Sequence, residues 1–391
     1  MSVPSRVLYL HSSAGRYGAD RQLVAMAGGL DPDRYRATAV LAEDGPLVGD
    51  LEDVGVDVVV RPLAVLRREL LSPGGLVRVG REWASDLLGL GRLARARGVR
   101  ILHTNTSVTL GGAPAAAALG IPHVWHVREI YTGFERYWPA YGRMLLTADA
   151  VPCVSEAVRE QFAGLPRAAR AAVLHDGLAL RPDPVGRAQA RAALGVPADA
   201  FVVALLGRLS AWKGQQLLVE ALGREPLAAD GRSVVLLAGS AWRDDPALGD
   251  ALRARAAALG VADRVLLPGF VDRVGLVYAA ADVVAVPSTH PDPLPNSALE
   301  AAAAGCCVVA ADHGGLREIL DGGRTGVLVP PGDAGGLADA LATLRDDPDR
   351  RARLGGLAAE DAAARFGAER LAAGLQDLYD AVLARRGGTI S

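Results

Sequence analysis

The chain has 391 residues, 50% of them apolar and 22% charged. At roughly 100–200 residues per domain, that length predicts two domains, and the apolar content excludes an intrinsically disordered chain. The formal net charge of −2 argues against a nucleic-acid binder, which would carry a strongly basic face.

No apolar run reaches the roughly 18–20 residues needed to span a bilayer. The N-terminus has one Arg ahead of a short apolar run and then a polar loop, which does not read as a secretory signal. Cys153, Cys306 and Cys307 offer neither a disulfide framework nor a metal spacing, so all three read as reduced core residues of a cytoplasmic protein. Of the 42 cationic residues, 41 are Arg and one is Lys213. A composition that favours Arg so heavily makes the surviving Lys a candidate for a site needing a compact ammonium.

In chain order, 7–11 predicts a buried strand and 18–30 a helix. Strands follow at 35–42 and 56–63, then a long amphipathic helix over 73–98. Further strands are expected at 101–105, 123–127 and 150–155, with Ala-rich helices between. Residues 181–199 hold three prolines and predict an interdomain connection with one short helix. The alternation restarts with strands at 201–208, 234–239, 264–270, 282–288, 306–311 and 325–331, and the last ~40 residues read as helices. β-Branched runs alternating with helices predict two doubly wound parallel sheets, whose ligands sit beyond the carboxyl ends of the strands.

Three post-strand loops carry candidate chemistry. Ser12–Arg21 opens a helix, and Gly15 and Gly18 would let backbone approach an anion there. It lacks the G-x-G-x-x-G spacing of nicotinamide sites. Gly207-Arg208-Leu209-Ser210-Ala211-Trp212-Lys213-Gly214 places the lone Lys five residues after an Arg beside a helix start, a pattern suited to a diphosphate. His290-Pro291-Asp292-Pro293-Leu294-Pro295-Asn296-Ser297-Ala298-Leu299-Glu300 is a proline-stiffened loop running into a helix. It presents selected backbone groups, with Glu300 placed for a ribose diol; the plainer alternative is a turn capped by Asn296 or Ser297. His126 sits at a strand end. His11 and His103 do too, and read more simply as structural.

The combination G-R-x-x-x-x-K-G, D-x-x-x-x-P-S and D-P-L-P-N-S-A-L-E-A resembles the family-4 retaining glycosyltransferases of GT-B fold. The resemblance extends to the first glycine loop, to Leu174-His175-Asp176-Gly177-Leu178 and to Thr325–Val329. It spans residues 6 to about 380. Asp292 stands where the family usually has the first Glu of its E-x7-E element, and Glu300 where it has the second.

The resemblance implies two Rossmann-like doubly wound domains facing across a cleft: an acceptor domain over 1–180 and a donor domain over 181–365, with the hinge near 178–195. A helix over 366–391 would pack back on the first domain. The implied activity is retaining transfer of a hexose or hexosamine from a UDP- or GDP-linked sugar to a hydroxyl. A nucleotide-sugar 2-epimerase and an inactive nucleotide-sugar-binding subunit are the alternatives.

Arg208 and Lys213 would hold the diphosphate and stabilise the leaving group, and Glu300 the ribose. Asp292 with the backbone of Leu294, Pro295, Asn296 and Ser297 would hold sugar hydroxyls. His126 would touch the donor sugar, Gly15, Gly18 and Gly207 would approach the phosphates, and Phe270 and Val271 would line the nucleobase. No cofactor or metal is implied beyond the nucleotide sugar. The acceptor is open among a polysaccharide, a lipid-linked sugar and a natural product. Residues 67–100 hold eight Arg against three acids, a local excess that could touch anionic lipid or simply face water.

Overall fold

In the computed structural model, residues 3–66, 73–178, 185–240 and 247–387 are described, and the elements and partners below are those of the described residues. The chain divides into two compact units, Met1–Ala179 with Gly367–Ser391, and Leu180–Phe366.

In the first unit, β1 (Ser5–His11), β2 (Tyr35–Leu41), β3 (Asp57–Val60), β4 (Val99–Thr104) and β5 (His123–Trp125) form a parallel sheet in the order β3-β2-β1-β4-β5. Beyond β5, Trp125 and Val127 donate backbone hydrogen bonds to Ala150 and Pro152, leading to the parallel pair β6 (Val151–Cys153) and β7 (Ala171–Val173). Val7, Leu8, Tyr9 and Leu10 are all fully buried. Because side chains alternate along a strand, Val7 and Tyr9 enter one apolar core while Leu8 and Leu10 enter another on the opposite face. A continuous apolar run is what a parallel strand covered on both faces requires.

The helix Ala368–Gly387 belongs to this unit. Leu371, Leu375, Tyr379 and Val382 recur at three- and four-residue spacing and enter the core of Val7 and Tyr9. Buried Tyr379 donates to the Tyr9 hydroxyl at 2.8 Å and so accepts a hydrogen bond from His103 Nδ1 at 2.7 Å.

In the second unit, β8 (Phe201–Leu206), β9 (Ser233–Ala238), β10 (Val265–Gly269), β11 (Val283–Val286), β12 (Cys307–Ala311) and β13 (Val327–Val329) form a parallel sheet ordered β10-β9-β8-β11-β12-β13. Each sheet thus reverses direction beside its own first strand, between β1 and β4 and between β8 and β11. Such a switch point opens a crevice at the carboxyl ends of the strands.

The structure differs from the sequence reading in three respects. Most strands end earlier than expected, β3 at Val60 and β13 at Val329, whereas β1 and β4 each begin two residues earlier, at Ser5 and Val99. β7 went unpredicted, since Ala171-Ala172-Val173 has weak strand propensity and is held by pairing with β6. Cys153 and Cys307 are buried, but Cys306 is half-buried, its thiol directed at the Tyr278 carbonyl. The helix expected at 73–98 is found at Pro73–Arg97, whereas 67–72 and 179–184, parts of the Arg-rich stretch and of the expected hinge, lie outside the described residues. The short helix expected between the domains is Arg187–Ala193.

If Ala368–Gly387 completes the first core, Leu375→Ala should cost about 2–5 kcal/mol of stability, as large-to-small core changes do. Urea unfolding followed by circular dichroism checks this; a loss under about 1 kcal/mol would mean that the helix does not complete that core.

Candidate active site

In the second unit, the loops after β8 and β11 meet at the switch point. Gly207 leaves β8 at φ 155° and passes against Gly239, which leaves β9 at φ 154°. Leu209 then donates its N–H to Ser240 O, and Gln215 Nε2 donates to Arg208 O at 2.8 Å. Ala211–Lys213 form one 3-10 turn, and the helix Gln215–Leu222 starts after Gly214. Gly214 has φ 82°, and a Cβ there would overlap the Pro287 carbonyl oxygen. Only glycine meets both demands.

Lys213 Nζ donates to Asp292 Oδ2 at 2.6 Å, with the carboxylate almost fully buried. The ammonium also lies 4.2 Å from the Trp212 ring centroid. Two residues selected from separate segments are therefore ion-paired, rather than each standing alone in a loop. The 292–294 backbone is seated on a glycine pair: Gly315 N donates to Asp292 O at 2.9 Å, and any Cβ on Gly314 or Gly315 would strike that segment. Leu294 is buried beneath the loop.

The helix Asn296–Ala303 starts directly after Pro295. Pro295 is its cap residue and no side chain closes the cap, so neither Asn296 nor Ser297 is an N-cap as the simpler turn reading supposed. One helical turn on from Asn296, Glu300 Oε2 accepts from the Tyr278 hydroxyl at 2.7 Å. Gly269 ends β10 at φ 82°, leaving Phe270 more than half exposed and Val271 partly so. Around the loop bases, Ser210 Oγ, Gln215 Oε1, Ser288 Oγ and His313 Nδ1 are buried without a hydrogen-bond partner. Buried polar atoms of this kind ordinarily find water or a ligand.

In the first unit, the switch point holds a buried polar chain. Asp176 accepts two bonds from Arg128 Nη1 at 2.7 and 2.8 Å, and Arg128 Nε donates to Asn105 Oδ1 at 3.1 Å. Asn105 Nδ2 donates to His11 Nδ1 at 3.1 Å, and His11 Nε2 donates to Asp20 Oδ1 at 2.8 Å. Burial pushes the Asp20 carboxyl up, but bonds from His11, Ser13 and the Tyr17 amide outweigh it, and the group sits below the usual range. This chain fixes the glycine loop: Gly18 is the first residue of its helix, and a Cβ on Gly15 would press on Asp20 Oδ2 at 3.1 Å.

His126 is fully buried, and neither ring nitrogen has a hydrogen-bond partner. Burial, with Arg128 and His103 adding repulsion, holds its pKa well below the ordinary value. It is a neutral imidazole at pH 7, able to donate and accept but not to carry charge.

The sequence reading assigned no role to Arg128, Asn105 or Tyr278. The only signals were polar residues just past strand ends and, for Tyr278, a polar atom on an otherwise apolar helix. It also passed over Gly314-Gly315, two glycines just past β12.

The fold and these loops define a protein of two doubly wound parallel-sheet units with polar switch-point sites. A model described as Glycosyl transferases group 1 matches residues 200–347, and one described as Glycosyltransferase Family 4 matches 17–181. A D-inositol 3-phosphate glycosyltransferase of Saccharomonospora viridis is 36% identical over 335 residues, covering 83% of this chain and 75% of the relative. A second protein of that description, from Catenulispora acidiphila, is 34% identical over 370 residues, covering 91% and 83%. Anabaena HepE, solved with UDP-glucose, superposes with a TM-score of 0.81 at 26% identity over 96% of this chain and 99% of that one. The sucrose-phosphate synthase of Thermosynechococcus elongatus shares the fold, with a TM-score of 0.79 at 21% identity over 97% of this chain and 100% of that one. The chain belongs to the family-4, group 1 glycosyltransferases, and it is a glycosyltransferase of GT-B fold.

Because His126 is buried neutral, its folded pKa lies below its unfolded value near 6.5, so the unfolded state takes up the extra proton. The stability tied to that ring is intact above pH 6.5 and is lost as pH falls below it, by about 1.4 kcal/mol per unit. His126→Phe removes this dependence. The stability difference between wild type and variant should shift toward the variant as pH falls from 6.5 to 5, as equilibrium unfolding measures. Buried Glu129, raised by desolvation, acts in the opposite sense but is common to both proteins. A pH-independent difference would mean that the ring is already solvated or paired.

Proposed function

We propose that this glycosyltransferase moves a hexose or hexosamine from a nucleoside diphosphate sugar, UDP-linked, to an acceptor hydroxyl with retention of the anomeric configuration. The observation that carries it is the Lys213–Asp292 pair, which couples a cation suited to a diphosphate with a carboxylate suited to sugar hydroxyls at the second unit's switch point. The solved HepE complexes with UDP and with UDP-glucose support the choice of nucleotide.

In the proposed reaction, the C1–oxygen bond of the donor breaks and its electron pair goes to the departing diphosphate. Arg208 and Lys213 stabilise that charge from fixed positions. The acceptor oxygen bonds to C1 on the face the diphosphate leaves, and the leaving phosphate oxygen takes the acceptor hydroxyl proton, so retention needs no carboxylate nucleophile. Asp292 and the backbone of Leu294–Ser297 hold sugar hydroxyls, Glu300 the ribose, and Phe270 and Val271 the base. Gly207 lets the backbone pass close to the phosphates. By the family resemblance, His126 is a candidate neutral hydrogen-bonding group for the sugar, and the backbone at Gly15 and Gly18 a candidate for the phosphates.

The acceptor is a hydroxyl-bearing molecule. The names of the relatives put D-inositol 3-phosphate first in a panel that also holds a lipid-linked sugar and an oligosaccharide. Among the described residues, no helix is long and apolar enough to cross a membrane. Contact with anionic lipid through 73–100 would be peripheral.

Lys213→Ala should lower turnover by about 10- to 150-fold, the loss of one charge-assisted bond worth about 1.5–3 kcal/mol. Because the change also strands a buried carboxylate, Lys213→Ala/Asp292→Asn serves as the partner variant. It should regain stability without regaining activity, and wild-type turnover in either folded protein would remove Lys213 from the chemistry. Glu300→Gln should raise the donor KM with kcat less changed, since ribose contacts act equally on ground and transition states. His126→Ala should do the reverse.

Two cations at the diphosphate make a divalent metal redundant. Asp31 and Asp347, each followed by Pro-Asp, are occupied locally: Asp31 Oδ1 accepts from Asp33 N, and Asp347 caps the helix Pro348–Arg365 through Arg350 N. Dialysis against EDTA should leave most activity. A loss that Mg²⁺ or Mn²⁺ restores would show a metal requirement.

A further inference from the structure

The second unit has a polar cavity at the edge of its sheet where the strands begin, opposite the loops described above. Phe201 opens β8 and Asp282 immediately precedes β11, and both line a space of about 280 Å³. Five arginines line it as well: Arg187, Arg191, Arg232, Arg345 and Arg351. Only two carboxylates do, Asp199 and Asp282. The lining carries a surplus of three positive charges. It remains positive when Asp230 and Asp346, which pair with Arg345 at 2.5 and 2.8 Å, are counted too.

Part of this cluster is structural. Arg191 is buried and donates to Ala280 O, Ala198 O and Asp282, tying the helix Arg187–Ala193 to the sheet. Arg345 is likewise engaged by its two carboxylates. The remaining three are engaged less fully. Arg187 uses Nη1 and Nη2 on Ala281 O and Asp282, leaving its Nε. Arg351 directs Nη1 at the Leu344 and Arg345 carbonyls, while its Nη2 stands 3.9 Å from Asp282, outside hydrogen-bond distance. The guanidinium of Arg232 makes no hydrogen bond or ion pair among the described residues, although it borders the same cavity. Arg351 also lies over the Phe201 ring, at 5.4 Å, so its stem is held by the fold, whereas nothing structural accounts for the exposed Arg232 at the cavity. Guanidinium donors converging with surplus charge match the oxygens of a phosphate group, which accept in the same forked geometry.

We propose that this cavity binds a small phosphate-type oxyanion, inorganic phosphate or a diphosphate, at a site separate from the donor site. The volume lies just below the roughly 300 Å³ at which small-molecule sites begin. That suits a phosphate or diphosphate and is too small for an intact nucleotide sugar.

The test is calorimetric titration of the full chain with inorganic phosphate and with pyrophosphate, in wild type, Lys213→Ala and Arg232→Glu. Pyrophosphate, phosphate or both should still bind Lys213→Ala. Arg232→Glu should weaken that binding at least tenfold while leaving UDP binding unchanged, and Arg232→Lys should keep most of it. Arg232→Gln takes the place of the reversal if a thermal melt shows that the reversal disturbs folding. Absence of binding by either anion in Lys213→Ala would overturn the proposal. So would binding indifferent to Arg232, or loss of UDP binding in step with it.

Discussion

The ion pair between Lys213 and Asp292 ties the loop after β8 to the loop after β11, and the shape of the second unit's site depends on it. The first loop holds only the single 3-10 turn Ala211–Lys213, and the second has no helix or strand before Asn296. The first is fixed by glycine geometry at Gly207 and Gly214, and the second by seating its backbone on Gly314 and Gly315. The ion pair, together with the Thr289 N–H donating to Trp212 O at 2.7 Å, then joins the two. A buried carboxylate stranded without its cation is strongly unfavourable, so either residue alone would distort the loop that carries it. With both present, a cation and an anion stand side by side at a switch point, the polarity that a diphosphate joined to a polyol would meet.

The first unit solves the same problem differently. Its sheet reverses at an equivalent place, between β1 and β4, but the loops there are held by a hydrogen-bonded chain from Asp176 through Arg128, Asn105 and His11 to Asp20. The inner members Arg128, Asn105 and His11 are each bonded on both sides, and a satisfied buried network rigidifies what it connects. His126 stands next to this network without joining it. A buried imidazole with two unpartnered nitrogens is costly to keep.

The fold was readable from the sequence because parallel strands buried on both faces leave long β-branched runs, and those runs punctuate nearly the whole chain. The second unit's site was readable for a different reason. A chain that uses Arg almost everywhere kept one Lys, and the proline-rich segment ending in Glu300 is too stiff to be an ordinary turn. What the sequence concealed is pairing. Nothing in the spacing of residues 213 and 292 says that they touch, and Tyr278 reads as core until Glu300 is found against its hydroxyl. Gly314-Gly315 looks like a turn until its lack of Cβ atoms is seen to make room for another loop's backbone. The buried chain in the first unit draws one residue from each of several segments, and no local pattern marks such a set.

If Lys213 and Asp292 meet the donor as one unit, as proposed above, their contributions to binding it are coupled. A double-mutant cycle on UDP-sugar binding tests it, using Lys213→Ala, Asp292→Ala and the pair together, with calorimetric Kd values for each. Residues that share one network should show a coupling energy of about 0.5–3 kcal/mol, the double variant losing clearly less than the two singles combined. Additive losses would mean that the two groups meet the donor independently and that the ion pair does not present them as one unit.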